Sequence, residues 1–346
     1  MAAAFDDVDA VFQAAETYMA AGDLWRAESV LGPALGAHPN HQRLLTYYAR
    51  VKLGQGDYAA AANSAHAALS VGPDNEYAMR VYSHALELQG RIPEALTMAW
   101  RTATAHPQSH LAHYTYAQML SDAGRPAEAM TAITEALRLN PRDADAVNLL
   151  GDIRVALGQL DAAEADYRHA LQLNPRDASV VHNLAALEFQ RGHRWNAVRG
   201  FIFAEQLDPR FGDLARRNVG VVLAGLLRRS AWVVLFVTIA VVAATNIRDG
   251  GGVTVIPRIA AGVGAAVLVA MSIPALRNVP VPMLRSVLRD RKILVVRILQ
   301  LLAAVVLGVL TAAVGALTAP GVAAGLLLLS VPVIVVVGWI TDERLW

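Results

Sequence analysis

A period of 34 residues constrains this 346-residue chain more than any other feature of its sequence. Gly22, Gly56, Gly90, Gly124, Gly158 and Gly192 follow one another at that interval without a slip, as do Ala27, Ala61, Ala95, Ala129, Ala163 and Ala197, and Pro39, Pro73, Pro107, Pro141, Pro175 and Pro209. These three ladders, sharing one phase, set six units at 8–41, 42–75, 76–109, 110–143, 144–177 and 178–211. A unit this short cannot bury a core alone, so it must stack on its neighbours. Each ladder has a physical role. The Gly sits between two apolar-periodic segments, where a tight turn calls for positive φ. The Ala, five residues on, ends at one methyl and lets the second helix approach the first. The Pro stops that second helix. Between these marks, Leu45, Leu149, Leu184, Tyr48, Tyr82 and Tyr116 are expected in the core of the first helices, and Leu31, Ile133, Tyr167 and Phe201 in that of the second.

The pattern resembles the tetratricopeptide repeat family, whose small residue at the eighth position is met here by Ala15, Ala49, Ser83, Ala117, Gly151 and Ala185. The fourth and fifth units, ending LRLNPRD and LQLNPRD, match best; the first and third diverge. The resemblance implies an all-α superhelical solenoid over residues 1–211, with first helices lining a groove that takes an extended or helical peptide. Carrying the family's groove positions across gives Arg43, Thr46 and Arg50 in the second unit and Tyr77, Arg80, His84 and Glu87 in the third. The fourth and fifth supply Leu111, Tyr114, Gln118, Asp145, Asn148 and Asp152, and the sixth Ser179, His182, Phe189 and the adjacent Asn183. Such a groove is basic and aromatic in its second and third units and acidic near the fifth, which suits an extended partner of the opposite order. The Lys, Asn and Arg clamp that some members use for a terminal carboxylate is not evident.

Charge divides the chain. Residues 1–211 hold 17 Lys and Arg against 24 Asp and Glu, a formal −7, while residues 212–346 hold 13 against 5, a formal +8. An acidic repeat region disfavours nucleic acid, whose phosphates ask for cations. There is no Cys, which excludes disulfides, thiolate metal sites and cysteine nucleophiles. His106, His110 and His113 cluster at a repeat junction without the accompanying ligands zinc requires, and Gly250–Gly251–Gly252 is not followed by the Gly-Lys-Ser/Thr of a phosphate loop. No nucleophile elbow or HExxH pattern occurs. The sequence predicts no enzyme, no cofactor and no metal.

After Pro209 the chemistry changes. Residues 212–229 carry basic pairs around a short apolar stretch and are expected as an amphipathic connecting helix, with a core helix continuing the solenoid as the alternative. Residues 230–346 are expected as a four-helix transmembrane domain, with spans at about 230–247, 256–276, 293–317 and 320–340, each near the roughly 20 apolar residues a crossing needs. Arg228, Arg229, Arg285, Arg289, Arg291 and Lys292 are expected at the membrane surface. Cytoplasmic loops carry excess Lys and Arg, which places the repeats, the 277–292 loop and the C-terminus in the cytoplasm. The acidic start lacks the marks of a signal peptide, in agreement with that orientation. Residues 281–289 are expected either to lie along the surface with Met283, Leu284, Val287 and Leu288 facing lipid or to form a plain cytoplasmic loop, and Arg297 is expected to snorkel. The spans hold no central Asp, Glu, Lys or His, which weighs against a transporter; small pairs such as Ala260 and Gly264 offer close helix contacts. The reading is of a multi-pass protein of a bacterial inner membrane that recruits an unidentified cytoplasmic protein or peptide and meets an integral membrane partner. The alternative is an accessory subunit of a transport, secretion or envelope-assembly complex.

Overall fold

The computed structural model describes residues 8–249 and 254–314, and they are helical throughout apart from short turns. The chain divides into two compact units, Met1–Pro175 and Arg176–Trp346.

The first unit holds five helix pairs: α1 (Val8–Ala20) and α2 (Leu24–Ala37), α3 (Gln42–Gly54) and α4 (Tyr58–Val71), α5 (Glu76–Leu88) and α6 (Ile92–Ala105), α7 (His110–Asp122) and α8 (Pro126–Leu139), and α9 (Ala144–Ala156) and α10 (Leu160–Leu173). Their turns repeat one geometry. The φ of the turn glycines is +80° at Gly56 and +70° at Gly124, and among the described residues no other residue type has positive φ. At the end of α3 the Gly56 N–H donates to the Leu53 carbonyl (3.1 Å) and the Asp57 N–H to the Lys52 carbonyl (3.0 Å), so the helix's last acceptors are satisfied by the turn itself. Side chains at the starts of α5, α7 and α9 do the matching work for donors: Asn75, Ser109 and Asp143 accept from the N–H groups of Ala78, Ala112 and Ala146.

The small residues are buried where the two helices of a pair meet. Ala27, Ala61, Ala129 and Ala163 have no exposed surface, and neither do Ala15, Ala49, Ser83 and Ala117 at the eighth position. Leu31, Ile133 and Tyr167 fill the cores as expected, whereas Tyr48, Tyr82 and Tyr116 are only half-buried. Between α2 and α3, Lys52 Nζ lies 2.5 Å from Glu28 Oε1, and Gln55 donates to the other carboxylate oxygen. These bonds hold Glu28 below the usual carboxylate range and Lys52 above its own.

The second unit begins with the sixth pair, α11 (Ala178–Gln190) and α12 (Arg194–Leu207), followed by a 3-10 turn at Pro209–Phe211. Then come α13 (Gly212–Asp249), α14 (Val255–Asn278), α15 (Val281–Asp290) and α16 (Lys292–Val314). The connecting helix expected at 212–229 and the span expected from 230 are one unbroken helix, α13. The junction, Leu227-Arg228-Arg229-Ser230-Ala231-Trp232, contains neither Gly nor Pro, and a change from polar to apolar surroundings does not interrupt backbone hydrogen bonding. One apolar core runs through this unit, joining Val198, Phe201 and Ile202 of α12 to Ala215, Val219 and Val222 of α13, and on to Leu268 and Ala304.

Three helices among the described residues, lying in Pro209–Arg248, Val255–Asn278 and Lys292–Val314, are long and apolar enough to cross a membrane. The fourth expected span, 320–340, lies outside the described residues, as do Gly250–Gly252 and the tail. Close packing among the three uses glycines: a Cβ added at Gly264 would lie 2.4 Å from Val237 Cγ2, and one at Gly308 would lie 2.8 Å from the Ala261 carbonyl oxygen. Two expectations are corrected here. Met283 and Val287 of α15 are buried and Leu284 and Leu288 pack beside them on the core, so this face meets protein rather than lipid. Arg297, with 8% of its surface exposed, is buried between helices instead of reaching the interface.

Candidate functional site

In the first unit α1, α3, α5, α7 and α9 are the first helices of successive pairs. At the α1 to α5 end the face of the expected groove positions is aromatic and cationic. The rings of Phe12 and Tyr47 are 5.0 Å apart and those of Tyr47 and Tyr77 are 6.2 Å apart, so a continuous aromatic strip crosses three helices. Arg43 covers it, its guanidinium carbon 3.9 Å from the Phe12 centroid and 5.4 Å from that of Tyr47. Arg80 stands 5.5 Å from the Tyr77 ring. Its Nε is 3.1 Å from Glu76 Oε1, yet the alignment leaves that buried nitrogen without a hydrogen bond. Burial pushes the Tyr77 phenol up, and neighbouring Arg50 pulls against it. Arg43 and Arg50 are exposed and oriented to solvent. Thr46 is buried, with 2% exposure, and its hydroxyl donates to the Gln42 carbonyl within α3. It therefore belongs to the helix and not to the contact face, because position five of this repeat turns inward.

From α5 to α9 the face becomes acidic. His84 Nδ1 is 2.9 Å from Glu87 Oε2. Burial would raise Glu87, but hydrogen bonds with His84 and Asp122 outweigh it and hold the carboxyl below its usual value. Asp122 is pushed up to about 6, first by burial, then by the hydrogen bond and the charge of Glu87. Asp122 therefore keeps its proton to higher pH than an ordinary aspartate, while Glu87 loses its own at lower pH than an ordinary glutamate. One repeat further on, Asp152 Oδ1 accepts from Tyr167 Oη at 2.6 Å, and burial raises its pKa despite that bond. Tyr114 is pushed up to about 12 by burial and by Asp145, Asp143, Asp152 and Asp122 around it. Gln118 and Asn148 are half-buried, and Asp145 and Leu111 are exposed. Anionic side chains from three successive repeats therefore share one field, which favours a cationic segment.

The structure adds residues that the positional reading passed over. Phe12 and Glu16 occupy the fifth and ninth places of the first repeat and could have been found by applying the groove rule there. Tyr47 donates to Glu16 across the helices. Asp122 follows the twelfth position; its signal was an acid in the last turn of a helix, where the dipole disfavours negative charge.

The sixth repeat belongs to the second unit. There the His182 ring packs 5.1 Å from Phe201 and 5.5 Å from Phe211, and burial lowers its pKa. Asn183 and Phe189 are half-buried on the same helix, α11. Farther along, Arg228, Arg229, Arg285, Arg289 and Lys292 are exposed. Arg291 instead lies over α13 at Gly220, where an added Cβ would be 3.1 Å from its Nε.

Paired helices, glycine turns and small residues at the crossings define a class of helical-repeat scaffold. Residues 49–178 are tetratricopeptide repeats: the family model matches 49–110 and 114–178. In structure the chain is similar to a thermophilic TPR protein of Thermus thermophilus, with 20% identity, 52% of this chain and 98% of the other covered, and a TM-score of 0.49. It is likewise similar to pilF of Pseudomonas aeruginosa (20% identity, 58% and 91% covered, TM-score 0.47) and to a tetratricopeptide repeat protein of Parabacteroides merdae (18%, 62% and 90%, 0.47). Comparison with curated proteins gives no match. Among the described residues no three His, Asp or Glu side chains converge as a metal site.

Proposed function

We propose that this protein is a membrane-tethered adaptor whose first-unit groove captures an extended segment of a cytoplasmic protein. The observation that carries this reading is the polarity of the inner face, from the Arg43, Arg50 and Arg80 strip over Phe12, Tyr47 and Tyr77 to the acidic field of Glu87, Asp122, Asp145 and Asp152. A segment with an acidic stretch and a basic stretch fits when its acids lie on repeats one to three and its cations on repeats three to five. The exposed guanidiniums of Arg43, stacked on Phe12, and of Arg50 supply two-pronged donors to carboxylates.

Tethering follows from the apolar helices. Ile256, Leu276 and Leu299 are 81%, 74% and 60% exposed, an apolar surface that a bilayer covers. Holding the groove at a membrane raises the effective concentration of anything bound there relative to an integral partner, so two modest contacts act together. The cations at 228–229 and 285–292 support a reading in which the repeats and α15 lie on the cytoplasmic side of a bacterial inner membrane.

Crosslinking in native membranes tests the groove. Arg43→Ala with Arg50→Ala should deplete a crosslinked cytoplasmic protein that wild type retains, and Asp122→Lys with Asp145→Lys should do the same from the acidic end. Equal recovery from all three chains would remove the groove as the partner site. An accessory or assembly subunit of an envelope, secretion or transport complex is the second reading. It is favoured if integral partners co-purify in fixed stoichiometry whichever groove variant is used, with the exposed apolar faces of α14 and α16 as the contact.

A further inference from the structure

At the start of α12 a cleft of about 510 Å³ opens between that helix and α13, lined by Gly192, His193, Arg194, Trp195, Asn196 and Arg229. Its charges are unequal in their engagement. His193 is taken by Glu188, 2.7 Å away, and Asn196 accepts from Arg199 at 2.6 Å. Arg194 lies against α13 at Gly225, where an added Cβ would be 3.8 Å from its Nη1, and Arg229 is exposed on the same helix one turn later. Among the described residues neither guanidinium has an ion-pair or hydrogen-bond partner. The first-turn N–H groups of α12, which no side chain caps, open nearby. The cations, not the helix end, define the cleft.

Its depth along α13 says what fills it. Trp232, 75% exposed, stands three residues after Arg229, followed by the exposed Phe236 and Ile239. At about 1.5 Å per residue, Arg229 lies roughly 4.5 Å from the first aromatic of the lipid-facing stripe, the level at which interfacial Trp sits beside headgroups. Two free guanidiniums there match the two-pronged acceptor geometry of a phosphate.

We propose that this cleft binds the phosphate of an anionic phospholipid, gripped by Arg194 and Arg229. The site rests on α13 entering a bilayer beyond residue 229 and is independent of any partner in the groove, so either proposal can fail alone. It differs from general attraction between a basic protein face and an acidic membrane, because Arg285 and Arg289, equally cationic and exposed on α15, take no part in it.

Full-length protein purified into mild detergent and examined by native mass spectrometry provides the test, with phosphatidylglycerol and phosphatidylcholine titrated separately. Wild type should hold one phosphatidylglycerol per chain and release it only at higher detergent. Arg194→Gln with Arg229→Gln should weaken that binding at least ~tenfold, about 1.4 kcal/mol, while Arg285→Gln with Arg289→Gln leaves it unchanged. Should the first pair not survive purification, Arg194→Lys with Arg229→Lys gives the same reading, because it keeps the charge and removes the fork; binding should weaken several-fold. Equal loss in both Gln pairs, retention in every variant, or phosphatidylcholine held as tightly as phosphatidylglycerol would overturn the site. Inorganic phosphate that binds wild type as tightly as the lipid and displaces it would overturn the lipid assignment in favour of a free anion.

Discussion

A Cβ added at Gly151 would lie 2.5 Å from Cε1 of Tyr167, so the fifth repeat has given up a side chain on α9 to seat a ring from α10 whose hydroxyl bonds Asp152. Gly151→Val should therefore push the ring out and break that bond, at a cost of about 1–3 kcal/mol as for other overpacked cores. Amide hydrogen exchange should quicken in α9 and α10 and stay unchanged in α1 to α4; uniform protection would show that the ring has room to move. Asp122 makes a second prediction at this scale. Its pKa is about 6 in the folded chain and 3.8 is its ordinary value, so the folded state keeps a proton that the unfolded state gives up between them. Stability from this group is present below about pH 4 and lost as pH rises toward 6. Glu87, held low, has the opposite sign and loses its contribution on acidification. Asp122→Asn imitates the protonated acid, so its thermal unfolding in detergent should match wild type near pH 4 and exceed it above pH 6. Parallel curves across that range would contradict the raised pKa of Asp122.

At the scale of elements, α15 is short and strongly two-faced, and its sequence invites a surface position. The structure turns its apolar face onto the core of the second unit instead, because Met283 and Val287 find a dry partner there, and a buried methylene on protein is as far from water as one in lipid. Arg291, just beyond α15, rests in the notch left by Gly220, which fixes the end of α15 against α13. Helices α14 and α16 approach closely at Gly308, where the obstacle to any side chain is the Ala261 backbone carbonyl, which cannot rotate away. Gly308→Val should lower the thermal stability of the detergent-solubilised protein, by an overpacking cost of about 1–3 kcal/mol. Gly32→Val, where an added Cβ meets nothing within 4 Å, should have a much smaller effect. Equal shifts would mean that the glycine is not a packing device.

For the whole molecule the charge division, −7 over residues 1–211 and +8 over 212–346, becomes a statement about orientation. If the repeats and α15 lie on the cytoplasmic side, as proposed, α13 and α14 each cross once and Arg248, at the end of α13, lies on the opposite side. The chain contains no Cys, so a single introduced thiol reports its own location. Arg248→Cys should be labelled by an impermeant maleimide from outside intact cells, and Ser286→Cys only after the membrane is opened. Both labelled from outside, or neither, would refute the orientation. Ala319→Cys would then report on the link before the fourth expected span.

The 34-residue period determined the repeats because it is a local property: a turn glycine, a small residue at a crossing and a helix-ending proline each act within one unit, and stacking copies needs no further instruction. The apolar runs likewise fixed which segments avoid water. Other features depended on neighbours distant in the chain. Thr46 and Arg43 sit three residues apart on one helix, yet only packing against α1 and α5 made one of them core and the other a cation over Phe12. Asp122 gained its raised pKa from burial and from Glu87, 35 residues away. The inward face of α15 and the meeting of Arg194 and Arg229 at one cleft were decided in the same way, whereas the joining of 212–229 to the first span was local, since the junction holds neither Gly nor Pro. A sequence states what each side chain prefers, and only the tertiary fold sets the dielectric, the charges and the surfaces against which that preference is met.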